Sequence, residues 1–292
     1  MKAYLDCYPC FFNQILNTSR MITNNEGKIK EILVAFGQFI PSISVQATPA
    51  EIGREVYRII SEKTGIEDPY RRIKKRCTQQ ALTLYPKLKE TIASSEDRLL
   101  TAIRVAIAGN VIDFGINTDF DLDKDLEELL PQELAIDHYE EFRATLKDAH
   151  RILYLADNAG ETVFDRLLIE EIRKPVIYVV RENPIINDAL YQDALDAGLD
   201  KVAEIASSGT DAPGTILSMC SKEFLKLFQS ADLIISKGQG NYEGLSEESC
   251  PVFFLLKAKC SVIARDVGVT QGSIVLKKAK NYEFSREKGD TS

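Results

Sequence analysis

The chain has 292 residues, 45% hydrophobic and 27% charged, with a net charge of −8; this is the make-up of a globular protein long enough to bury a sizeable core. The acidic balance excludes the basic footprint of a nucleic-acid-binding domain. No apolar run approaches the ~20 residues needed to span a bilayer, so neither a nucleic-acid nor a membrane partner is expected.

The N-terminus, MKAYLDCYPCFFNQ, carries an acid and polar residues where a signal peptide has its apolar core, and the protein is expected to be cytoplasmic. Cys7 and Cys10 in CYPC have the spacing of half a zinc site or of a redox pair. Cys77, Cys220, Cys250 and Cys260 supply no second CxxC to complete a zinc site, and only six residues precede Cys7, too few for the core strand ahead of a thioredoxin-type motif. The pair reads as structural, packing the first helix.

Up to about residue 145 the pattern is helical, within the usual boundary error. Thr48-Pro49-Ala50-Glu51 is a capping box with proline at the first helical position, and Gly65 ends that helix. Asp68-Pro69 starts another. Ser94, Ser95 or Asp97 caps a third, which runs through LLTAIRVAIAGNVIDFG. The acidic run DFDLDKDLEELLPQEL at 119–134 reads as a solvated face, and His138 and His150 as surface or boundary residues.

From residue 150 the pattern changes. Short β-rich runs appear at RILYLA (151–156), PVIYVV (175–180), VAEIA (202–206), DLIIS (232–236), VFFLL (252–256) and SIVL (273–276), mostly separated by amphipathic stretches. The alternation predicts an α/β fold, a mostly parallel sheet with helices on both faces, following a helical N-terminal domain; the division expected is 1–145 and 146–292. Ligands of such sheets bind beyond the carboxyl ends of the strands. Those ends carry DNAGE (157–161), RENPIIND (181–188), SSGTDAPG (207–214), SKGQGNYE (236–243) and KAK (257–259).

Carboxylate and amide oxygens without His or Cys are hard ligands that suit Mg²⁺ or Mn²⁺, and Asp157, Asn158 and Asp188 can supply the incomplete shell such an ion keeps. Lys237 and Lys257 can meet a phosphate's charge, with the glycines beside Lys237 admitting backbone N–H groups. Glu161 and Arg181 are further candidate substrate contacts. Taken singly, several of these residues could equally be helix caps.

In this order DNAGE, RENPIINDA, SSGTDAPG, SKGQGNYE and LLKAKC, with AGNVIDFG at 108–115 and CYPC near the start, resemble the metal-dependent damage-control phosphatase family, formerly a family of unknown function, in its stand-alone archaeal and bacterial branch. The resemblance implies a Rossmann-like α/β/α domain with one divalent cation (Mg²⁺, Mn²⁺, Co²⁺ or Ni²⁺) at the strand ends. It places the metal ligands on Asp157, Asn158 and Asp188 and the phosphate-contacting segment on Lys237, Gly238 and Asn241. Asn110 and Asp113 match positions bordering the substrate. The family's Arg-Thr-x-Lys motif is here Phe254-Leu255-Leu256-Lys257, so only the lysine matches, which favours Lys257 over Lys259 and removes the basis for carrying over the sugar phosphates of eukaryotic relatives.

The function expected is hydrolysis of phosphomonoesters of small metabolites, damaged or side-product metabolites among them, with Asp157, Lys237 and Lys257 catalytic. The nucleophile is left open between water and the Asp157 carboxylate. The competing readings are an S-adenosylmethionine-dependent methyltransferase, against which the single glycine of DNAGE argues, and a non-catalytic metal or metabolite sensor.

Overall fold

A computed structural model describes residues 1–111, 131–280 and 282; Asp113 and most of the acidic run lie outside them. Five helices open the chain: α1 (Cys7–Ile22), α2 (Glu26–Phe39), α3 (Pro49–Thr64), α4 (Arg71–Ser94) and α5 (Arg98–Val111). The capping chemistry decides their ends. Thr48 Oγ1 accepts from Glu51 N at 3.2 Å while Glu51 Oε2 accepts from Thr48 N at 2.7 Å, and Gly65 terminates α3 at φ 72°. Asp97 Oδ1 accepts from Leu100 N at 3.0 Å and starts α5. At the head of α4, Asp68 Oδ1 instead takes Tyr70 N at 3.1 Å in a turn, so that helix begins at Arg71, not at Pro69.

Among the described residues seven strands form one sheet: β1 (Leu134–Asp137), β2 (Ile152–Leu155), β3 (Val176–Val180), β4 (Glu204–Ser207), β5 (Leu233–Lys237), β6 (Val252–Lys257) and β7 (Ile274–Lys278), in the order β1-β7-β6-β5-β2-β3-β4. Helices α6 (Tyr139–Asp148), α7 (Thr162–Ile172), α8 (Tyr191–Asp196), α9 (Lys222–Ser230), α10 (Gly238–Leu245) and α11 (Ser261–Val267) alternate with them. Strands β6, β5, β2, β3 and β4 are mutually parallel, and β7 and β1 form a reversed pair at the edge. β1 is a departure from the helical reading of this region: it is four residues long, pairs only with β7, and alternates buried Leu134 with exposed Ala135 and Asp137. The sheet thus begins before residue 146.

The two faces of the sheet follow strand parity. Ile152 and Tyr154, Val176, Tyr178 and Val180, and Leu233 and Ile235 face a core shared with α5 and α7; Leu153, Leu155, Ile234, Phe254 and Leu256 face the α10–α11 side. Buried on both faces, these strands read as continuous apolar runs, as parallel strands do. Helices α1–α3 build a separate core from Phe11, Ile15, Ile32, Phe36 and Val56, joined by Ile185 from the loop after β3. That attachment holds α1 and α3 over the strand ends. No helix among the described residues is long and apolar enough to cross a membrane.

The connection from β2 runs to β3 and β4 on one side and returns to β5 on the other. The order therefore reverses at β2, and the loops after β2 and β5 flank the crevice where ligands of open α/β sheets bind.

α5 and α7 meet so closely that a Cβ on Gly109 would lie 2.7 Å from the ring of Phe164. Gly109→Ala is expected to lower stability by about 1–3 kcal/mol through overpacking, although alanine is the better helix former. Thermal unfolding measures this, and a variant as stable as the parent would contradict the close α5–α7 packing.

Candidate active site

The DNAGE loop leaves β2 and is pinned to the loop after β3 by two backbone hydrogen bonds, Ala159 N to Asn187 O and Ala189 N to Asp157 O, both 2.8 Å. This antiparallel bridge pairs Asn158 with Asp188, so three residues 31 positions apart in the chain at most, Asp157, Asn158 and Asp188, meet on one short ladder. Asp157 Oδ2 accepts from Asn110 Nδ2 at 2.7 Å and from Asn158 Nδ2 at 3.3 Å. Gly238 makes room for it: at φ 76° its missing Cβ would fall 1.8 Å from Asp157 Oδ2.

Behind the ladder lies a polar network. Glu161 Oε1 accepts from Asn158 N at 2.6 Å and from Asn110 Nδ2 at 2.9 Å. Its other oxygen takes Lys237 Nζ at 2.8 Å, and Lys237 also donates to Asp165 Oδ1 at 2.5 Å. The hydroxyls of Tyr154 and Tyr178 donate to Asp165 at 2.7 Å each. On the other side Arg181 Nε donates to Asp188 Oδ2 at 2.9 Å and Nη2 to Asn241 Oδ1 at 3.0 Å. Asn241 Nδ2 donates to the carbonyls of Ala156 and Lys237 at 2.9 and 2.8 Å.

In front of the ladder is a cavity of about 440 Å³. Asp157, Asn158 and Asp188 line one wall. Cys10 and Gln14 of α1 and Gly53 of α3 line another, and Gln239, Glu243 and Lys259 a third. Lys259 is the one cation on this cleft among the described residues.

The electrostatics divide the same way. Burial, then the charges of Glu161 and Asp188, push the Asp157 carboxyl up to about 7. Burial pushes Asp188 up to about 6, with Arg181 only partly offsetting it. Burial also works against the charge of Lys237, but Asp165 and Glu161 outweigh it and raise its pKa. The interior charges are paired, whereas the two cleft carboxylates share the single ion pair that Arg181 makes with Asp188. Two carboxylates and an amide, all facing the cavity, fit a hard divalent ion that keeps positions for water and substrate. Among the described residues no group of three or more His, Cys, Asp and Glu side chains is placed to hold a metal ion, so the set here depends on the Asn158 amide beside two carboxylates.

The structure brings Asp157, Asn158 and Asp188 together on the cleft, with Asn110 and Glu161 directly behind them. It places other residues differently from the sequence reading. Lys237, read as catalytic, is 0% exposed and locked in its ion pairs: strand parity sends it with Leu233 and Ile235 toward α5 and α7. Arg181 and Asn241, read as substrate contacts, are buried and spend their polar atoms on Asp188, Thr215 and backbone carbonyls. Gly238 serves by close approach to Asp157. Half-buried Lys257 opens beside Gln271 and Gly272, while exposed Lys259 reaches both that opening and the cleft. Glu243, quoted within SKGQGNYE but not singled out, faces the cleft with Gln239 and Gly240, positions on one side of α10. Cys7 and Cys10 line the cleft too, rather than only packing α1.

Residues 3–275 match the family described as the damage-control phosphatase ARMT1-like domain. A damage-control phosphatase of Pyrococcus horikoshii is 35% identical over 96% of this chain and 99% of its own. One of Archaeoglobus fulgidus is 34% identical over 95% and 99%, and an uncharacterized protein of Methanocaldococcus jannaschii 38% over 95% and 96%. The crystal structure of a DUF89 family protein from Pyrococcus horikoshii superposes with a TM-score of 0.89 at 34% identity, covering 96% of this chain and 100% of that one.

Because the pKa values of Asp157 and Asp188 are raised in the folded chain, the folded state holds protons that the unfolded state releases near pH ~4. Stability from these groups is therefore present at low pH and lost as pH rises through their folded values. In chelator-treated protein, Asp157→Asn is expected to melt above the parent at pH 8 and to lose that advantage by pH 5. Thermal melts across this range test it, and a variant less stable than the parent at pH 8 would overturn the assignment of Asp157 as an under-compensated charge.

Proposed function

The chain belongs to the ARMT1-like damage-control phosphatase family, and from that premise we propose that it is a divalent-metal-dependent phosphatase acting on phosphomonoesters of small, including damaged, metabolites. The observation that carries the metal dependence is the ladder itself: Asp157, Asn158 and Asp188 are held together at the switch point of the sheet, short of positive charge and facing a cavity. These three residues would hold Mg²⁺, Mn²⁺, Co²⁺ or Ni²⁺. Such an ion, when bound, supplies Lewis-acid polarisation of a phosphoryl oxygen.

The chain's own groups do the rest. Lys259 takes the transferring group's remaining negative charge from across the cleft. Asn110 orients the Asp157 carboxylate by its 2.7 Å hydrogen bond, and Arg181 orients Asp188. Lys237 is a positioning residue that acts through Glu161 on the Asn158 backbone. The relatives whose names state an activity are phosphatases, and the lysine beside the ladder is a feature a methyltransferase site does not need.

Chelator-stripped protein is expected to be inactive on p-nitrophenyl phosphate and to recover with one or more of the four ions. Asp157→Ala should abolish the recovery, and Lys259→Met should lower kcat/KM by about 10²-fold, the scale of one lost charge-stabilising group, with a smaller effect from Lys257→Met. Turnover that survives in Asp157→Ala, or a larger loss at Lys257 than at Lys259, would refute these roles.

A further inference from the structure

The walls of the cleft beyond the ladder carry Glu243 of α10 and Gln14 of α1. Glu243 is half-buried on α10 and lines the cavity together with Asp157, Cys7 and Cys10. That carboxyl has no hydrogen-bond partner among the described residues. The nearest cation, the Met1 ammonium, is engaged with the Glu243 main-chain oxygen at 2.7 Å and with Ser246 Oγ at 2.8 Å. Across the cavity Gln14 turns its Nε2 to Cys10 Sγ at 3.9 Å and leaves Oε1 buried with no partner. A cleft carboxylate with no partner of its own is met by water or by a donor that a ligand supplies.

Charge balance says which donor. With a divalent ion in place, Asp157, Asp188, Arg181 and Lys259 leave a positive excess that a phosphomonoester dianion neutralises. Glu243 then carries a charge that the Met1 ammonium, bonded to a main-chain oxygen and to Ser246 and not to the carboxyl, offsets only in part. We infer that Glu243, in a cleft that Gln14 also lines, forms the leaving-group subsite and selects phosphomonoesters whose alcohol carries a protonated amine, the ammonium seated on the Glu243 carboxylate. The inference rests on the phosphatase reading above and adds the substrate class.

Burial pushes the Glu243 carboxyl up to about 8, the Met1 ammonium offsetting part of this and Asp157 adding to it. A cationic group beside Glu243 reverses that cost, whereas a second carboxylate on the substrate compounds it. Esters bearing a carboxylate are therefore the disfavoured class.

The test compares kcat/KM of the metal-loaded full chain for ethanolamine phosphate, 2-hydroxyethyl phosphate and phosphoglycolate, with p-nitrophenyl phosphate as the control for the reaction. The amine ester is expected to exceed the hydroxyl ester by about tenfold or more, the scale of a charged hydrogen bond, and phosphoglycolate to be the poorest. Glu243→Gln should bring the amine-to-hydroxyl ratio close to one. Each ratio is internal to one protein, so a partly active variant still reports. Equal kcat/KM for the amine and hydroxyl esters in the parent, or a ratio unchanged in Glu243→Gln, overturns the inference and leaves the phosphatase reading standing. No turnover of any ester, p-nitrophenyl phosphate included, with any of the four ions overturns both.

Discussion

A lysine with none of its surface exposed is the constraint around which the rest is arranged. Lys237 ends β5 inside the protein, and a buried ammonium persists only where carboxylates meet it and their remaining lone pairs are filled. Asp165 and Glu161 meet it. Asp165 is completed by two tyrosine hydroxyls from β2 and β3, and Glu161 by the Asn158 backbone and the Asn110 amide. One charge thus ties together α5, α7 and three neighbouring strands. The position of the DNAGE loop follows from it, because the oxygen of Glu161 that Lys237 leaves free is the one that holds Asn158 N.

The same economy is withheld from the cleft. Asp157 receives amide hydrogen bonds but no cation, and Asp188 shares Arg181 with Asn241. Gly238 lets Asp157 lie against backbone, with no side chain there to screen it. The result is a rigid interior of paired charges supporting two carboxylates short of positive charge. Under the proposed function this arrangement is an advantage, since side chains oriented before a cation arrives need not reorganise.

Much of this was legible in the sequence, and the omissions have physical reasons. The six strands after residue 150 stand out because burial on both faces makes them continuous apolar runs, and the α3 cap stands out because Thr48, Pro49, Glu51 and Gly65 each carry a positional meaning. β1 escaped notice because an edge strand with exposed alternate residues lacks that run. That Asp157, Asn158 and Asp188 meet was legible because oxygen-bearing side chains at adjacent strand ends are a chemical pattern. The lysines were harder. That Lys237 points inward was present in strand parity, as it shares the odd positions of Leu233 and Ile235, whereas the reach of Lys259 into the cleft depends on where α1 and α3 close it. Glu243 was hidden because SKGQGNYE was read as a loop. As the helix α10, it puts Gln239, Gly240 and Glu243 on one side and Asn241, Tyr242 and Leu245 on the other.

The cleft is assembled from two sources with different constraints. One end comes from strand ends bound into the Lys237 network, where a substitution propagates through several elements. The other comes from α1, α3 and the outward side of α10, whose cleft residues Cys10, Gln14, Gly53 and Glu243 take no part in that network. The thiols there fit this division: burial raises the pKa of both Cys7 and Cys10, which makes them poor nucleophiles and suits them to shape the pocket wall. The lining that α1 and α10 give the cleft can therefore change without disturbing the Asp157–Asn158–Asp188 ladder.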